Sequence, residues 1–294
     1  MKASELTSFE SVSTGFTNLD KLTGVGGIPF KKITELSGQF SVGKSTIALS
    51  LVAQAQAEGK ETLWVDTEWA FETEYAKTLG VQLDSLDVIQ EQFAENALDE
   101  TVEWIDTHKN GVVVLDSVGG LLPRSEAEKN SDGKVIGAQA KLIATFCRKV
   151  VPMLAINNIA LLILNHEFTD LMTGRLMTSG GAKLGYHKSL WLRLRKGNKR
   201  VMKGDQQVGE VIIAEVRKNK LAPTNKQSCE LTMVYGEGFN KDADLIEAAK
   251  EKLFEKRGQF FYWNDEKIAR GEAGLRELFK DESFAAKIKH ELGK

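Results

Sequence analysis

Cysteine, proline and long apolar runs are scarce in this sequence. Its two cysteines, Cys147 and Cys229, lie far apart and match no metal-ligand spacing, which argues against a disulfide framework or a structural zinc site. The most apolar stretch, residues 150–164, is interrupted by Pro152 and is too short to span a bilayer. The first thirteen residues lack the apolar segment of a signal peptide. These absences predict a soluble cytoplasmic protein without a membrane partner.

An excess of charge of either sign is also missing. The 39 basic and 41 acidic residues leave a formal net charge of −2, which argues against a protein coated in positive charge, like a histone. A local basic stripe can still bind nucleic acid, because acidic residues elsewhere cancel it only in the total. With 294 residues, of which 42% are hydrophobic, the chain can form one large domain and a small appendage.

Short apolar segments alternate with helical ones over the first two hundred residues. Strands are predicted at Lys32–Leu36, Thr62–Val65, Val88–Gln90, Val112–Leu115 and Ala160–Leu164. Helices are predicted at Ser45–Glu58, Glu72–Leu79, Leu98–Thr107 and Ala138–Leu154. This alternation predicts an α/β fold with a mostly parallel central sheet and helices on both faces.

The pattern changes in the last third of the chain. Leu190–Leu194 and Val208–Val216 alternate like strands around a turn rich in Gly, Asn and Lys, and predict an antiparallel extension of the sheet. From residue 239 the pattern predicts a small α/β domain with a helix, a hairpin and two closing helices, at Leu245–Lys256, Phe260–Trp263 with Glu266–Ala269, Leu275–Lys280 and Phe284–Leu292. The predicted organisation is a short N-terminal segment, a core and a C-terminal domain, at residues 1–12, 13–238 and 239–294.

A phosphate-binding loop lies between the first predicted strand and the first predicted helix. It fits G-x-x-x-x-G-K-[ST] with the residues Gly38, Gln39, Phe40, Ser41, Val42, Gly43, Lys44, Ser45 and Thr46. Glycines let the backbone turn its N–H groups toward phosphate, and the following helix adds the positive end of its dipole. Lys44 is expected on the β and γ phosphates and the Ser45 hydroxyl on Mg²⁺. The motif predicts ATP and Mg²⁺ as cofactors.

Two acids follow predicted strands of the same sheet. Asp116 comes directly after Val112–Leu115, which is the Walker B arrangement, and is expected to bind Mg²⁺ through water. Glu68 follows Thr62–Val65. It could orient or deprotonate an attacking water, or it could be a solvated loop acid, and the spacing alone favours neither reading.

These segments together resemble the RecA family of DNA recombinases, from about Val12 to the end of the chain. The resemblance lies in Ser13-Thr14-Gly15, Asn18-Leu19-Asp20, Gly26-Gly27-Ile28-Pro29, Asp66-Thr67-Glu68, Tyr75 to Val81, Val216 to Pro223 and Tyr235-Gly236-Glu237-Gly238. It implies an ATPase core of the RecA type, with Glu68 as the residue that activates water. It also implies that Glu72 and Tyr75 contact adenine, although Tyr75 could instead pack on the core. Lys218 and Lys220 would reach the ATP of a neighbouring subunit.

The resemblance also implies two DNA-binding loops, at about residues 126–137 and 167–183. Apolar residues, cations and glycines in these loops or shortly after the first would contact bases and phosphates, namely Ile136, Lys141, Arg148, Gly180, Gly181 and Lys183. Arg195 and Lys196 would extend the basic surface, unless they belong to a solubilising hairpin tip. The expected partners are single- and double-stranded DNA, further copies of the chain in a helical filament with ATP between protomers, and a single-strand-binding protein or loading mediator.

Two features depart from the usual pattern of the family. Most members have glutamine where this chain has His166, a position that senses the γ-phosphate. The pair Asn165-His166 resembles phage recombinases of the UvsX type and indicates a phage-encoded protein acting in the host cytoplasm. Residues 1–12 are shorter than the N-terminal helix and strand that dock bacterial members onto their neighbours, which leaves filament stability open.

The implied function is DNA-stimulated ATP hydrolysis coupled to homologous pairing and strand exchange. Two alternatives stay open from the sequence. One is an accessory ATPase or mediator that regulates recombination without exchanging strands. The other is a ring-shaped helicase motor, although such motors normally carry further domains for which 294 residues leave no room.

Overall fold

The computed structural model describes residues 10–128, 137–169, 174, 176–223 and 227–293. The strands within them are β1 Ser11–Val12, β2 Ile28–Pro29, β3 Ile33–Gly38, β4 Glu61–Asp66, β5 Asp87–Ile89, β6 Gly111–Asp116, β7 Ala160–Thr169, β8 Leu176–Thr178, β9 Leu190–Lys203, β10 Gln206–Asn219, β11 Ser228–Val234, β12 Gly238–Phe239, β13 Glu255–Arg257, β14 Phe260–Trp263 and β15 Glu266–Arg270. The helices are α1 Thr17–Thr23, α2 Lys44–Ala57, α3 Thr73–Thr78, α4 Ala94–Thr107, α5 Arg124–Ala127, α6 Ala138–Asn157, α7 Gly181–His187, α8 Lys241–Lys252, α9 Gly271–Leu278 and α10 Glu282–Leu292. Among the helices described, none is both long and apolar enough to cross a membrane.

The central sheet is mostly parallel, as the alternating pattern predicts. Its order is β5-β4-β6-β7-β3-β9-β10-β11-β12, with β8 paired to β7. The strands from β5 to β9 in this order pair in parallel, and β10, β11 and β12 continue the sheet antiparallel. The predicted α/β fold class, a RecA-like core with a small C-terminal sheet domain, is therefore confirmed.

Two apolar layers cover the two faces of this sheet. One contains α2 and α3 with residues such as Leu36, Leu51 and Trp64, and the other contains α4, α6 and α7 with residues such as Ile33 and Phe146. The side chains of β6 from 112 to 115 are all fully buried, as expected for a strand covered on both sides. The register aligns the carboxyl ends of the parallel strands, and polar residues at that edge therefore face one crevice.

The hairpin of β9 and β10 is longer than its sequence predicts. Both strands continue to a two-residue turn at Gly204 and Asp205, where a longer loop was expected. The added residues are mainly charged and exposed, and they lack the apolar alternation by which a strand is recognised. These residues are extended because β9 and β10 pair as far as Lys203 and Gln206, and Lys199 also lies 2.7 Å from Glu230 of β11.

The C-terminal region has a hydrophobic cluster of its own. It includes Ile246, Phe261 and Ile288, from α8, β14 and α10. The helix α8 begins four residues earlier than predicted, because the side chain of Asn240 accepts a hydrogen bond from the backbone N–H of Ala243 at 2.8 Å. The predicted end of this helix forms β13 instead, which adds a third strand to the expected hairpin.

Candidate nucleotide-binding site

The phosphate-binding loop joins β3 to α2 in a conformation that requires glycine. Gly43 has a φ of 83°, and a Cβ there would lie 2.7 Å from atoms of Met233 and Phe239. A Cβ on Gly38 would lie 2.6 Å from the backbone oxygen of Leu194. Both glycines therefore allow close backbone packing, and the N-terminus of the 14-residue helix α2 begins beside the loop.

A cavity of about 510 Å³ opens beside this loop. Its lining combines the loop and strand ends of the parallel sheet with residues of β9, β10 and β11, namely Ser41, Val42, Gly43, Lys44, Ser45, Thr46, Glu68, Asp116, His166, Lys196, Glu210, Met233 and Tyr235. The volume lies in the range of small-molecule sites. The sequence assigns no role at this site to Glu210, Met233 and Tyr235, because only the folding of β10 and β11 brings them here.

Lys44 is buried at the centre of the site. Its Nζ donates hydrogen bonds to the backbone oxygens of Gly38 at 3.1 Å and Gln39 at 2.9 Å, and lies 3.2 Å from Nδ1 of His166. Burial lowers the pKa of Lys44, and the charges of Asp116 and Glu68 partly oppose this. A phosphate bound beside Lys44 would favour its protonated form, because the negative charge of the phosphate offsets the effect of burial.

Ser45 and Asp116 form an oxygen pair suited to a hard cation. The Ser45 hydroxyl donates to Oδ2 of Asp116 at 2.9 Å. The pKa of Asp116 is raised to about 6, mainly by burial, with the hydrogen bond from Ser45 opposing the shift and the charges of Glu68 and Asp66 adding to it. A cation would stabilise the ionised form of this carboxyl. Among the described residues no group of three or more His, Cys, Asp or Glu could hold a metal by itself. This donor set fits Mg²⁺, which commonly takes its remaining ligands from phosphate and water.

His166 connects Lys44 with Glu68. Its Nε2 lies 2.9 Å from Oε1 of Glu68, and its Nδ1 faces the ammonium of Lys44. An ammonium can only donate, so Nδ1 accepts and Nε2 carries the proton that it donates to Glu68. The hydrogen bond from His166 holds the pKa of Glu68 below its usual range, against burial, and a hydrogen bond from the Ser117 hydroxyl adds to the effect. Glu68 is thus an ionised carboxylate in the cavity.

Tyr75 packs beside the phosphate-binding loop, and Glu72 is exposed. The Tyr75 hydroxyl lies 2.9 Å from Oγ1 of Thr46, and its ring packs partly buried against the core around α2. Glu72 is exposed just before α3. Neither residue lines the cavity described above. The adenine contact implied for both residues stays a prediction.

Lys218 and Lys220 lie away from the cavity of their own chain. Both donate to backbone oxygens at the end of α7, Lys218 to Gly185 and Lys220 to Tyr186 at 3.1 Å. Burial lowers the pKa of Lys218, and the charge of Lys220 lowers it further. Since neither lysine lines the cavity of this protomer, a role at an ATP site requires a second protomer.

The predicted DNA contacts fall on α6 and the start of α7. Lys141 and Arg148 are exposed on α6, and Lys183 is exposed on α7. A Cβ on Gly181 would lie 2.9 Å from Cβ of Ala140, which shows that the two helices meet at their first turns. Gly180 is buried at the same junction. Ile136 and most of the first predicted loop lie outside the described residues, as do several positions of the second.

Arg195 and Lys196 are not free cations beside these helices. Arg195 pairs with Glu215 at 2.5 Å, and Lys196 pairs with Glu210 at 3.1 Å. Lys196 also lines the nucleotide cavity. The sequence placed both residues with the DNA-binding surface, because a run of basic residues does not reveal the acidic residues of the neighbouring strand.

Two consecutive residues of β7 join the cavity to the second predicted loop. The side chain of Asn165, next to His166, donates to the backbone oxygen of Ser179 at 2.9 Å and accepts from its N–H at 3.1 Å. Ser179 directly precedes Gly180 and Gly181. The nucleotide cavity and the predicted DNA loop therefore meet at adjacent residues of one strand.

Comparison with known proteins agrees with this geometry. The sequence profile of the RecA N-terminal domain matches residues 1–240. Protein RecA of Ureaplasma parvum is 34% identical over 270 residues, covering 90% of this chain and 80% of that protein. Protein RecA of Clostridioides difficile is 34% identical over 287 residues, covering 96% and 82%. Protein RecA of Aquifex aeolicus is 34% identical over 285 residues, also covering 96% and 82%.

Proposed function

The chain belongs to the RecA family, and we propose from this premise that it is an ATP-dependent DNA recombinase. It forms a filament on single-stranded DNA and exchanges strands with DNA-stimulated ATP hydrolysis. The observation that carries the proposal is the pair of contacts made by the adjacent residues Asn165 and His166 of β7. There His166 contacts Lys44 and Glu68, while Asn165 holds the backbone of Ser179 in the proposed DNA loop. One strand thus joins the reacting phosphate to the DNA.

ATP hydrolysis follows from the groups in the cavity. Lys44 and the N-terminus of α2 hold the β and γ phosphates. Ser45 and Asp116 would hold Mg²⁺, which would supply positive charge to the phosphate oxygens when bound. Glu68 accepts a proton from the attacking water while the water oxygen bonds to the γ-phosphorus. The bond from that phosphorus to the bridging oxygen breaks, which leaves ADP and phosphate.

The remaining assignments belong to the same proposal. Lys218 and Lys220 stabilise the charge on the γ-phosphate of the ATP bound by a neighbouring protomer. Glu72 and Tyr75 contact the adenine of ATP. Lys141, Arg148, Gly180, Gly181 and Lys183, together with Ile136, bind DNA, and residues 13–238 and 239–294 form the core and C-terminal domains. We propose that the protein is phage-encoded, on the pair Asn165-His166, that it acts in the host cytoplasm, and that a single-strand-binding protein or mediator assists its loading.

Electron microscopy tests the assembly directly. With single-stranded DNA and a slowly hydrolysed ATP analogue, negative-stain images are expected to show long helical filaments. A strand-exchange assay under hydrolysing conditions should then yield joint products, and a Lys44→Ala variant should yield neither hydrolysis nor products. Closed six-membered rings would instead indicate a helicase motor. The absence of any polymer would indicate an accessory ATPase.

Mixed filaments test the lysines that act across the interface. Lys44→Ala protomers and Lys218→Ala protomers should each be inactive alone. In an equal mixture, an interface is intact when its phosphate loop comes from a Lys218→Ala protomer and its trans lysine from a Lys44→Ala protomer. About a quarter of randomly formed head-to-tail interfaces meet this condition. Recovery of ATPase activity to about that fraction of wild type supports a shared site, and a mixture as inactive as its components contradicts it.

A further inference from the structure

An exposed aromatic ring in the phosphate-binding loop has no role in the chemistry described above. Phe40 is 71% exposed, although the positions around it are fixed by glycines and by the start of α2. Large apolar side chains are costly to expose and usually have a partner or a function. Here the ring lies on His166, with centroids 4.5 Å apart and an interplanar angle of 24°. Phe40 therefore covers one face of the histidine.

The position of the ring favours an indirect role. His166 lines the nucleotide cavity, whereas Phe40 does not. A side chain that bound the nucleotide would be expected among the lining residues. Phe40 instead contacts a residue that is itself in the lining. Its chemistry, a flat apolar ring without donors or acceptors, suits holding another ring and excludes proton transfer.

The hydrogen bonds of His166 depend on the plane of its imidazole. Nδ1 accepts from Lys44 and Nε2 donates to Glu68. The lone pair of one imidazole nitrogen and the N–H of the other both lie in the plane of the ring. Rotation of the imidazole about its Cβ–Cγ bond would break both hydrogen bonds together. Gly119 lies beside the ring, and a Cβ there would be 3.5 Å from Cδ2 of His166, but glycine has none. Stacking on Phe40 restricts the rotation that Gly119 leaves free.

We propose that Phe40 is a positioning residue, which holds the imidazole of His166 in the plane that lets it face Lys44 and Glu68 at once. The stacking itself is a property of the free protein. Its effect on hydrolysis rests on the proposed ATPase function. The two parts can therefore be tested separately, so that failure of one is distinguishable from failure of the other.

Nuclear magnetic resonance of histidine-labelled protein tests the stacking. The chain has four histidines, and His166 is assigned by loss of its signal in His166→Gln. Ring current from Phe40 should move its imidazole proton resonances upfield, and Phe40→Leu should remove this shift while Phe40→Tyr keeps it. His108, which stacks on Trp104 with centroids 4.3 Å apart, is an internal reference that should not change. An unchanged His166 resonance in Phe40→Leu would overturn the proposal, whether or not the protein hydrolyses ATP.

A double-mutant cycle tests the consequence for catalysis. Stacking of aromatic rings corresponds to a change of about three- to tenfold in rate, so Phe40→Leu should lower the DNA-stimulated kcat by about that factor. KM for ATP should change little, and Phe40→Tyr should restore kcat. In a His166→Ala background, Phe40→Leu should have no further effect, because the residue that it positions is absent. A full further loss in that background would show that Phe40 acts on nucleotide or on a neighbouring protomer directly, and would refute the positioning role.

Discussion

At the scale of single residues, the protonation of His166 links three groups. Lys44 can only donate hydrogen bonds, so it fixes Nδ1 as the acceptor and Nε2 as the donor toward Glu68. The same arrangement keeps Glu68 ionised, since the hydrogen bond from His166 holds its pKa below the usual range. An ionised carboxylate is the form that can accept a proton from water. The geometry of the free protein thus prepares the base for its proposed role.

Glu68→Gln should separate nucleotide binding from hydrolysis. The amide keeps the size of the side chain and an oxygen that accepts from His166, but it cannot take a proton from water. The DNA-stimulated kcat should fall by about 10²- to 10⁴-fold, with the affinity for a fluorescent ATP analogue nearly unchanged. Glu74→Gln is the matched control, because Glu74 lies exposed on α3 and pairs with Lys77 at 2.7 Å. If Glu68→Gln retains the wild-type kcat, Glu68 is a solvated loop acid.

The sequence predicts the individual site residues unevenly. Lys44, Ser45 and Asp116 follow from local motifs, since a loop between strand and helix brings its own backbone to the phosphate. Glu68 does not, because spacing alone cannot distinguish a catalytic acid from a loop acid. The parallel pairing of Asp66 with Asp116 brings the neighbouring Glu68 to the same edge. Lys196 is the opposite case, in which a basic run suggested DNA and the strand partner Glu210 placed it in the cavity.

At the scale of secondary-structure elements, a buried ion pair joins β3 to the segment after α7. Glu35 is fully buried in β3, and the side chain of Lys188 is 4% exposed where it donates to the Glu35 carboxylate. Lys188 also lies 3.4 Å above the ring centroid of Trp191, and Asn165 donates to Glu35 at 3.2 Å. Burial raises the pKa of Glu35, and the charge of Lys188 partly offsets it. The pair thus fixes the phosphate-loop strand against the end of α7.

Lys188→Met should therefore destabilise the protein strongly. The substitution leaves a buried carboxylate without its cation and should lower the free energy of unfolding by about 3–5 kcal/mol, measured by urea unfolding. The double variant Glu35→Leu/Lys188→Met should recover most of this loss, because it removes both charges. Lys149→Met is the control, since Lys149 is exposed and pairs with Asp99 at 3.2 Å, and should change stability by less than about 1 kcal/mol. Equal effects for the two single variants would contradict the role of the buried pair.

The elements themselves were largely predictable, and their exceptions share a cause. Strands such as β6 are apolar throughout, and their burial on both faces can be read directly from the sequence. The far half of the β9–β10 hairpin cannot, because charged residues such as Arg200 become extended through pairing with the other strand of the hairpin, here with Glu210. The end of α8 was predicted too late for the same reason, since Glu255 pairs with Tyr262 of β14. The local sequence pattern of a segment does not show which distant strand it will pair with.

At the scale of the whole molecule, the core and the C-terminal cluster meet at α1 and α8. The backbone N–H of Asn18 donates to the carboxylate of Asp244 at 3.1 Å, and its side chain donates to the backbone oxygen of Asp244 at 2.7 Å. The pKa of Asp244 is raised from 3.8 to about 6, mainly by burial, with hydrogen bonds from Asn18 opposing the shift and the charge of nearby Asp20 adding to it. Burial also raises the pKa of Asp20, which the charge of Lys289 partly opposes. This contact therefore depends on pH.

The sign of that dependence follows from the raised pKa of Asp244. The folded protein holds the proton more tightly than the unfolded chain, so the stabilisation is complete below about pH 4 and is lost as the pH rises through about 6. Asp244→Asn removes this titration and keeps an oxygen that accepts from Asn18. Relative to wild type, its free energy of unfolding should rise by up to about 3 kcal/mol between pH 4 and pH 7.

Urea unfolding of both proteins across this pH range measures the difference. Subtracting wild type from variant removes the contributions of carboxyls with raised pKa values elsewhere in the protein, such as Glu35 and Asp116, because these titrate in both proteins. Asp242→Asn is the matched control, because Asp242 lies exposed in the same first turn of α8 and shares the interaction with the helix dipole. Its difference from wild type should stay nearly constant with pH. If Asp244→Asn and Asp242→Asn show parallel pH profiles, the Asp244 carboxyl does not make the junction between α1 and α8 sensitive to pH.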